Sequence, residues 1–382
     1  MVPKPFTLSL LAIIPAILSA VQASEGEPSN TDKNATALAS SMCLMFEDQF
    51  EKFNLAHWKK SLTRNIFAAR DHIEWRWKRY TNNRTNSFVE DGVLYLKPTF
   101  TANTIGEDTM KSGGRISLWG NDETSCTDNA AGGCERESLG DEGGNYLNPI
   151  QSAKIKLDRA FSVSYGKVEI SARMPKGDWI WPAIWLMPRH SMYGAWPASG
   201  EIDIVETRGN VNYTYGNVTS AGSTLQWGPS MDLNAYMDTH VEVLVNSGNS
   251  FSDKFHVWGL EWNSTSLRTY VDNTTLLQVA FEKPFWERHT FPDWATNPWK
   301  GSETSAPFDQ EFFLIMNVAV GGTNGYFPDD KNKPWKNADP RAVNKFWDRR
   351  KYWQPSWGSG NQAALAVDSV KIWTKDQSKC LK

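Results

Sequence analysis

Three carboxylates fall within six residues, at Glu201, Asp203 and Glu206, in a run that otherwise has the pattern of a buried β-strand. Buried carboxylates without partners cost free energy, so such a strand requires a functional reason. Side chains alternate along a strand, which puts Glu201 and Asp203 on one face and Glu206 on the other. One extra residue in a β-bulge restores Glu206 to the first face, and bulges often lie beside active sites. The spacing therefore predicts a bulge that gathers the three acids on one face.

With that bulge, the Cα atoms of Glu201 and Glu206 lie about 13 Å apart. Side chains leaning inward would bring the two carboxyl groups to the roughly 5–5.5 Å of a retaining glycosidase. In that scheme Glu201 attacks the anomeric carbon, Glu206 protonates the leaving oxygen, and Asp203 modulates the charge of its neighbours. Crowding raises the pKa values of such carboxyls, which keeps the acid protonated. A calcium site built from the same acids is the alternative, but calcium ligands usually come from loops.

Short alternating runs separated by turn signals dominate the rest of the chain and predict β-strands. The clearest candidates are residues 165–174, 179–187, 201–206, 255–262, 267–271, 312–320 and 365–373. One helix is predicted after Asp339, with this residue as N-cap, Pro340 in the first turn and an end near Arg350. Many strands and almost no helix indicate an all-β sandwich with a groove for a long ligand.

Residues 1–23 have the pattern of a secretory signal peptide, with Lys4 before an apolar core that is too short to span a membrane. The small polar residues of 24–42 predict a flexible segment, which leaves one domain over residues 43–382. We therefore expect a secreted, extracellular protein without a membrane anchor. Six glycosylation sequons agree with secretion, at Asn34, Asn83, Asn212, Asn217, Asn263 and Asn273.

Four cysteines suit an extracellular compartment, and three pairings are possible. The favoured pairing joins Cys126 to Cys134 around a Gly-rich loop and Cys43 to Cys380 at the two ends of the domain. The alternative is one disulfide and two free thiols. These spacings do not predict a metal site.

A net charge of −3 at pH 7 provides no basic surface for nucleic acid or acidic membranes. Nineteen tryptophans are the outlier in composition. The indole packs on the C–H face of a sugar ring and donates one hydrogen bond, although most of the tryptophans are expected to fill core and loops. We expect a monomer whose partner is a polysaccharide.

The segments around the acids are GDWIWPAIWLMP at 177–188 and WPASGEIDIVE at 196–206. They closely resemble glycoside hydrolase family sixteen, specifically the invertebrate β-1,3-glucanases (laminarinases) and β-glucan recognition proteins. The resemblance covers about residues 43–380. It implies a concanavalin A-like, jelly-roll β-sandwich with a concave carbohydrate cleft, and retaining hydrolysis of internal β-1,3 bonds without a cofactor.

By position, the resemblance assigns the nucleophile to Glu201, the assisting carboxylate to Asp203 and the acid/base to Glu206. The substrate-binding positions that it implies are Trp181, Trp185, Lys154, Gln226 and Asn317. Two of these depart from many relatives. Lys154 replaces an arginine, which keeps the charge but loses bidentate geometry, and Gln226 replaces a histidine, which removes a titratable group.

Several other residues have competing interpretations. His256 is predicted to be a packed strand histidine, and Arg115 to be a surface charge or a site residue. Asp368 resembles a position that binds calcium in some relatives, so a structural calcium ion on the convex face is an open alternative. The late tryptophans are expected mainly to anchor a loop excursion, and they are Trp335, Trp347, Trp353 and Trp357.

Two functions agree with these features: a secreted endo-β-1,3-glucanase, and a non-catalytic β-glucan receptor of innate immunity. Recognition proteins of this kind typically lose one or more of the three acids and carry an additional amino-terminal module. This chain retains all three acids, and only residues 24–42 separate the signal from the sandwich. The sequence therefore favours the enzyme. The bulged spacing favours laminarin-type glucans over mixed-linkage glucan or xyloglucan, with galactans as a minor alternative.

Overall fold

The computed structural model describes residues 42–61, 68–69, 72–73, 78–119, 126, 134–244 and 250–381. The predicted signal peptide, nearly all of the predicted flexible segment and the sequon at Asn34 lie outside the described residues. These three assignments stay predictions. Within the described ranges, no helix is long and apolar enough to cross a membrane.

The described residues fold mainly into β-strands joined by loops. In chain order the strands are β1 Cys43–Asp48, β2 Trp58–Lys60, β3 Ala68–Ala69, β4 His72–Ile73, β5 Lys78–Tyr80, β6 Ser87–Glu90, β7 Val93–Leu96, β8 Thr99–Phe100, β9 Ser112–Ser117, β10 Glu135–Leu139, β11 Ile150–Ser152, β12 Lys154–Leu157, β13 Gly166–Arg173, β14 Ile180–Pro188, β15 Glu201–Thr207, β16 Ser220–Gln226, β17 His240–Leu244, β18 His256–Trp262, β19 Ser266–Val271, β20 Thr274–Ala280, β21 Phe312–Val320 and β22 Leu365–Thr374. The helices are α1 Ala102–Ile105, α2 Glu107–Lys111, α3 Ala342–Asp348 and α4 Arg350–Trp353.

Two antiparallel sheets form a β-sandwich in this part of the chain. The first has the order β17–β16–β15–β14–β21–β12–β2, and we call it the cleft sheet. The second has the order β20–β19–β18–β13–β22–β7–β6, with β1 also paired to β22. Long connections join strands that are distant in sequence, as in β14 beside β21, so the sheet order is that of a jelly roll. The predicted all-β sandwich is confirmed.

The core between the sheets follows from alternation along the strands. In β13, buried and half-buried residues alternate over the whole strand, so Val168 and Ile170 face the core. Two fully buried indoles also satisfy their N–H donors, because Trp258 donates to the Ala172 carbonyl and Trp262 to the Phe308 carbonyl. Truncating such a side chain typically costs about 3–5 kcal/mol, so these residues hold the sandwich together.

The predicted strands differ from the observed strands by few residues. The strand at 312–320 has the predicted bounds. The strand predicted at 179–187 begins instead at Ile180, because Trp179 has a φ of 67°. Left-handed backbone of this kind does not continue a β-ladder.

The helix prediction after Asp339 is wrong in its start and its continuity. The helix α3 begins at Ala342, and Arg341 precedes it without a side-chain cap. The Asp339 side chain accepts from the Arg341 N–H at 2.8 Å, so it closes a turn ahead of the helix. Arg349 then separates α3 from α4 with a ψ of 8°. The short helices α1 and α2 are not predicted either, because four or five residues carry no helical periodicity.

Two disulfides join Cys43 to Cys380 and Cys126 to Cys134, the pairing that the sequence favours. The first links β1 to the residues after β22. The Cα atoms of the two bonded cysteines are 5.6 Å apart in each disulfide, within the usual range.

The late tryptophans anchor the chain between β21 and β22, as expected. All four are buried. Three donate their indole N–H to a backbone carbonyl, from Trp335 to Gly322, from Trp353 to Phe346 and from Trp357 to Asp178. A buried indole with a paired N–H holds its loop by packing and by a hydrogen bond, so this part of the chain is well packed.

Candidate active site

A β-bulge lies in β15 where the sequence predicts it. Asp203 is opposite Thr224 of β16 and Glu206 is opposite Gly222, so β15 has one extra residue over this interval. The same residue is extra against β14. Ile204 and Val205 are both fully buried in the core. Two consecutive core residues reset the alternation, and Glu206 therefore returns to the face of Glu201 and Asp203.

Cross-strand pairing continues this face over the cleft sheet. One row, which we call the Glu206 row, runs across six strands through Glu242, Gly222, Glu206, Ala183, Asn317 and Lys154. A second row, the Asp203 row, runs through His240, Thr224, Asp203 and Trp185. A cavity of about 680 Å³ lies over these rows, and all three acids line it.

Each acid accepts a hydrogen bond from a side chain of the cleft. The Trp196 indole donates to Glu201 Oε2 at 2.6 Å. The Gln226 amide donates to Asp203 Oδ2 at 3.1 Å. The Trp181 indole donates to Glu206 Oε1 at 2.7 Å. Hydrogen bonds of this kind fix each carboxyl in one orientation and stabilise its ionised form.

Burial and crowding raise the pKa of two of the acids. Burial raises the pKa of Glu201 to about 7, the charge of Glu206 adds to the rise, and the Trp196 and Asp203 hydrogen bonds oppose it. Burial raises the pKa of Asp203 well above its ordinary value, with further contributions from the charges of Glu201 and Glu206. Asp203 therefore holds a proton in its hydrogen bond to Glu201, which favours the ionised form of Glu201. The arrangement provides one carboxylate poised for attack beside a protonated neighbour.

This raised pKa predicts how stability depends on pH. A carboxyl with a raised pKa in the folded state stabilises the fold at low pH, and this contribution is lost as the pH rises through about 7. Glu201→Gln cannot ionise, so we expect it to be more stable than the wild type at pH 8, by about 1–3 kcal/mol, and equally stable at pH 4. Urea unfolding at both pH values measures the difference.

A matched control is Glu261→Gln on the opposite sheet, where Glu261 pairs with Arg268. It should not gain stability at pH 8. A difference between Glu201→Gln and the wild type that is the same at both pH values would contradict the assigned burial cost of the charge.

The predicted cleft aromatics Trp181 and Trp185 line the cavity but are only 7% and 8% exposed. Trp181 stacks on Tyr326, with ring centroids 3.8 Å apart and planes within 6°. The Trp185 indole donates to Asn317 Oδ1 at 2.8 Å. Both tryptophans therefore form the floor of the cavity and orient polar neighbours. Their contact with a sugar stays a prediction.

The other predicted binding residues separate into two groups. Gln226 and Asn317 line the cavity. Lys154 is not among the described residues that line it. Its ammonium lies over the Trp185 ring at 4.9 Å from the centroid, and its contact with substrate stays a prediction. Its positive charge lowers the pKa of Glu201, against the rise that burial produces.

Several residues of the cavity were not predicted from the sequence. They include Trp196, Arg208, Tyr236, Met237, His240, Glu242 and Tyr326. His240 and Glu242 alternate on the edge strand β17, a pattern that could have been found. Met237 is 66% exposed and Tyr236 is 38% exposed at the rim, which gives this side of the cleft an apolar surface. His240 is a titratable histidine of the cleft, whereas the Gln226 side chain does not titrate.

Three further residues lie away from the cavity. His256 is buried and its Nδ1 pairs with Asp272, as a packed strand histidine. Arg115 is exposed and pairs with Glu135 and Glu137, as a surface charge. Asp368 is exposed on β22, and no cluster of three or more metal-ligating side chains occurs among the described residues.

The five described sequons all reach the surface at least in part. Asn83, Asn212 and Asn273 are exposed. Asn217 and Asn263 are half-buried, and each side-chain oxygen accepts hydrogen bonds from the threonine of its own sequon. Glycosylation of these residues stays a prediction.

Comparison with known proteins identifies the family. Residues 140–309 match glycosyl hydrolases family 16. The chain is 42% identical to a β-1,3-glucan-binding protein of Penaeus monodon over 346 residues, which cover 88% of this chain and 92% of that protein. It is 30% identical to β-1,3-glucan-binding protein 1 of Galleria mellonella, over 86% of this chain and 63% of that protein. The chain belongs to glycosyl hydrolase family 16, so the resemblance inferred from the acidic strand is confirmed.

A solved structure agrees with the fold. The laminarinase from Rhodothermus marinus superposes with a TM-score of 0.51 and 23% identity, over 87% of this chain and 97% of that chain. Its similarity confirms the jelly-roll sandwich. The chain spans less than two thirds of the length of the Galleria protein.

Proposed function

We propose that this chain is a retaining endo-β-1,3-glucanase that hydrolyses internal bonds of laminarin-type glucans. The observation that carries the proposal is the bulge in β15, which places Glu201, Asp203 and Glu206 on the cleft face. Each acid also has its own hydrogen-bond donor. The β-1,3-glucan specificity is supported by the relatives, which are named for binding that polysaccharide.

The reaction has two steps. In the first, the Glu201 carboxylate attacks the anomeric carbon while Glu206 gives its proton to the glycosidic oxygen, so the bond to the leaving sugar breaks and a glycosyl ester forms on Glu201. In the second, Glu206 takes a proton from water as the water oxygen attacks the same carbon, and the ester bond to Glu201 breaks. Asp203 holds its proton towards Glu201 through both steps and stabilises the carboxylate that attacks and leaves.

The alternative is a receptor that binds the same glucan without cleaving it, and the names of the relatives favour it. A binding groove has no need of three neighbouring carboxyls, and burial makes their charge costly, as the raised pKa values of Glu201 and Asp203 indicate. Catalysis is the function that accounts for this cost. The two functions predict different results with the same substrate.

The test is incubation of the purified protein with laminarin, lichenan, agarose and cellulose, with Glu201→Gln as the control. We expect the wild type to release oligosaccharides from laminarin in preference to the other three, and the variant to release none. Binding of laminarin by the wild type without any release would favour the receptor. Release from agarose in preference to laminarin would contradict the glucan assignment.

We also propose that the protein is secreted, glycosylated and monomeric. The two disulfides support an extracellular location, because disulfides persist in oxidising compartments. Expression in cultured eukaryotic cells tests this proposal. The protein should appear in the medium and lose mass on treatment with an N-glycosidase. Size-exclusion chromatography with light scattering should give the molar mass of a monomer.

A further inference from the structure

Three groups form a stacked column at the wall of the cleft, which we call the Arg208 column. The Arg208 guanidinium lies over the Tyr326 ring at 4.2 Å from its centroid. The Trp181 indole also stacks on the Tyr326 ring, with ring centroids 3.8 Å apart. The Trp181 indole then donates to Glu206 Oε1 at 2.7 Å. The column therefore ends on the acid/base of the proposed reaction.

Hydrogen bonds fix Tyr326 within the column. Arg208 donates through Nε and Nη2 to the Tyr326 carbonyl, at 3.1 and 2.8 Å. The Tyr326 hydroxyl donates to the carbonyl of Thr207, the residue that follows Glu206, at 3.0 Å. Arg208 is itself held by Glu242, whose Oε1 accepts from Nη1 at 2.6 Å. Tyr326 is thereby tied through its hydroxyl and its carbonyl to the end of the bulged strand that follows Glu206.

The loop that carries Tyr326 is anchored on its far side. The Lys333 side chain is fully buried, and its ammonium donates to the Phe327 carbonyl and pairs with Asp329 at 2.9 Å. The same ammonium lies over the Trp335 ring at 4.6 Å from its centroid. A buried ammonium with these partners holds the loop in place, so Tyr326 has a rigid support.

We propose that Arg208 and Tyr326 are positioning residues, which clamp Trp181 so that its N–H stays on the carboxyl of Glu206. The inference rests on the proposed function, because it assigns a role in the proton transfer by Glu206. Tyr326 covers one face of the Trp181 indole, and rotation of the indole would break its bond to Glu206. A misplacement of about 1 Å at a catalytic group can lower the rate about 100-fold, so the clamp has a measurable effect.

The clamp also affects the protonation of Glu206. The bond from Trp181 favours the ionised carboxylate, so its loss should raise the pKa of Glu206 and move the basic limb of the kcat/KM profile to higher pH. Other charged and titratable side chains line the same cavity and also contribute to the electrostatic potential at Glu206, and they are Tyr80, Glu201, Asp203, Arg208, Asp232, Tyr236, His240, Glu242 and Tyr326.

The experiment compares Tyr326→Leu, Trp181→Phe and the double variant with the wild type on a laminarin oligosaccharide. Tyr326→Leu removes the stack, and Trp181→Phe keeps a stacked ring but removes the N–H donor. For each single variant we expect kcat/KM to fall about 10- to 100-fold and the basic limb to move up by about half a pH unit or more. Because both changes remove the same bond, the double variant should be little worse than either single one.

A nitrophenyl glycoside of the same sugar isolates the acid step. Its leaving group requires little protonation, so kcat/KM for this substrate should fall much less in Tyr326→Leu than for the oligosaccharide. Tyr326→Phe keeps the stack and should recover most of the activity and the wild-type basic limb. A matched control is Tyr95→Leu, which breaks the stacked pair of Tyr95 and Phe88 on the opposite sheet. It should leave the pH profile unchanged.

Each contrary result has a distinct meaning. An active wild type with an unmoved basic limb in Tyr326→Leu would overturn the inference and leave the proposed function intact. Multiplying effects in the double variant, or a change in KM alone, would also overturn it, since these indicate separate contacts with the sugar. An inactive wild type would overturn the proposed function and the inference together.

Discussion

Glu201→Gln is expected to reduce the release of reducing ends from laminarin by about 10⁴-fold or more, because the proposed mechanism forms the glycosyl ester on Glu201. The amide has the shape of the carboxyl, and its oxygen can still accept from the Trp196 indole. Binding of laminarin should therefore stay close to that of the wild type. A reducing-end assay and titration calorimetry measure the two quantities on the same sample.

The matched control for this variant is again Glu261→Gln, which removes one carboxylate from the opposite sheet and should keep full activity. Wild-type turnover by Glu201→Gln would exclude Glu201 as the nucleophile. A loss of binding in parallel with turnover would indicate that Glu201 holds the substrate and does not attack it.

Glu206→Gln should reduce laminarin hydrolysis by about 10²- to 10⁴-fold, the usual contribution of a general acid and base. The defect should depend on the leaving group. The nitrophenolate of a nitrophenyl glycoside leaves without protonation, so the first step should remain fast. The glycosyl ester on Glu201 should then accumulate. A burst of nitrophenol followed by slow turnover measures this behaviour.

Azide provides the decisive addition to that experiment. It is a nucleophile that needs no base, so it should attack the accumulated ester and restore turnover in Glu206→Gln with a β-glycosyl azide as product. The wild type, whose base activates water, should show no such acceleration. An equal loss on laminarin and on the nitrophenyl glycoside, without rescue by azide, would contradict the role of Glu206.

The part of the site that lies on one strand could be predicted from the sequence. Three acids in an apolar run are costly to bury in the core. A single bulge between Asp203 and Glu206 puts all three on the cleft face and accounts for their spacing. The strands around them show clear alternation, as in β13. These are local patterns, which depend on residues within one element. The sandwich follows because strands of this kind have to bury one face each.

The partners of the acids could not be predicted from local patterns. Tyr326 reaches the cleft from a loop, 118 residues from Arg208. Its place depends on the order of strands in the cleft sheet, which no single segment encodes. The contacts of Lys154 could not be predicted from local patterns either, since the resemblance gives only its position in the chain. The structure puts its ammonium on the Trp185 ring, and its effect on the site is electrostatic.

The bulged strand is the central feature of the proposed mechanism, because it brings the proposed nucleophile and the proposed acid/base to the same face of the cleft sheet. Proton NMR during the first minutes of laminarin hydrolysis tests it most directly, since the anomeric signal of each new reducing end appears before mutarotation. We expect these new ends to carry the β configuration. New ends in the α configuration would show a single inverting displacement and contradict it.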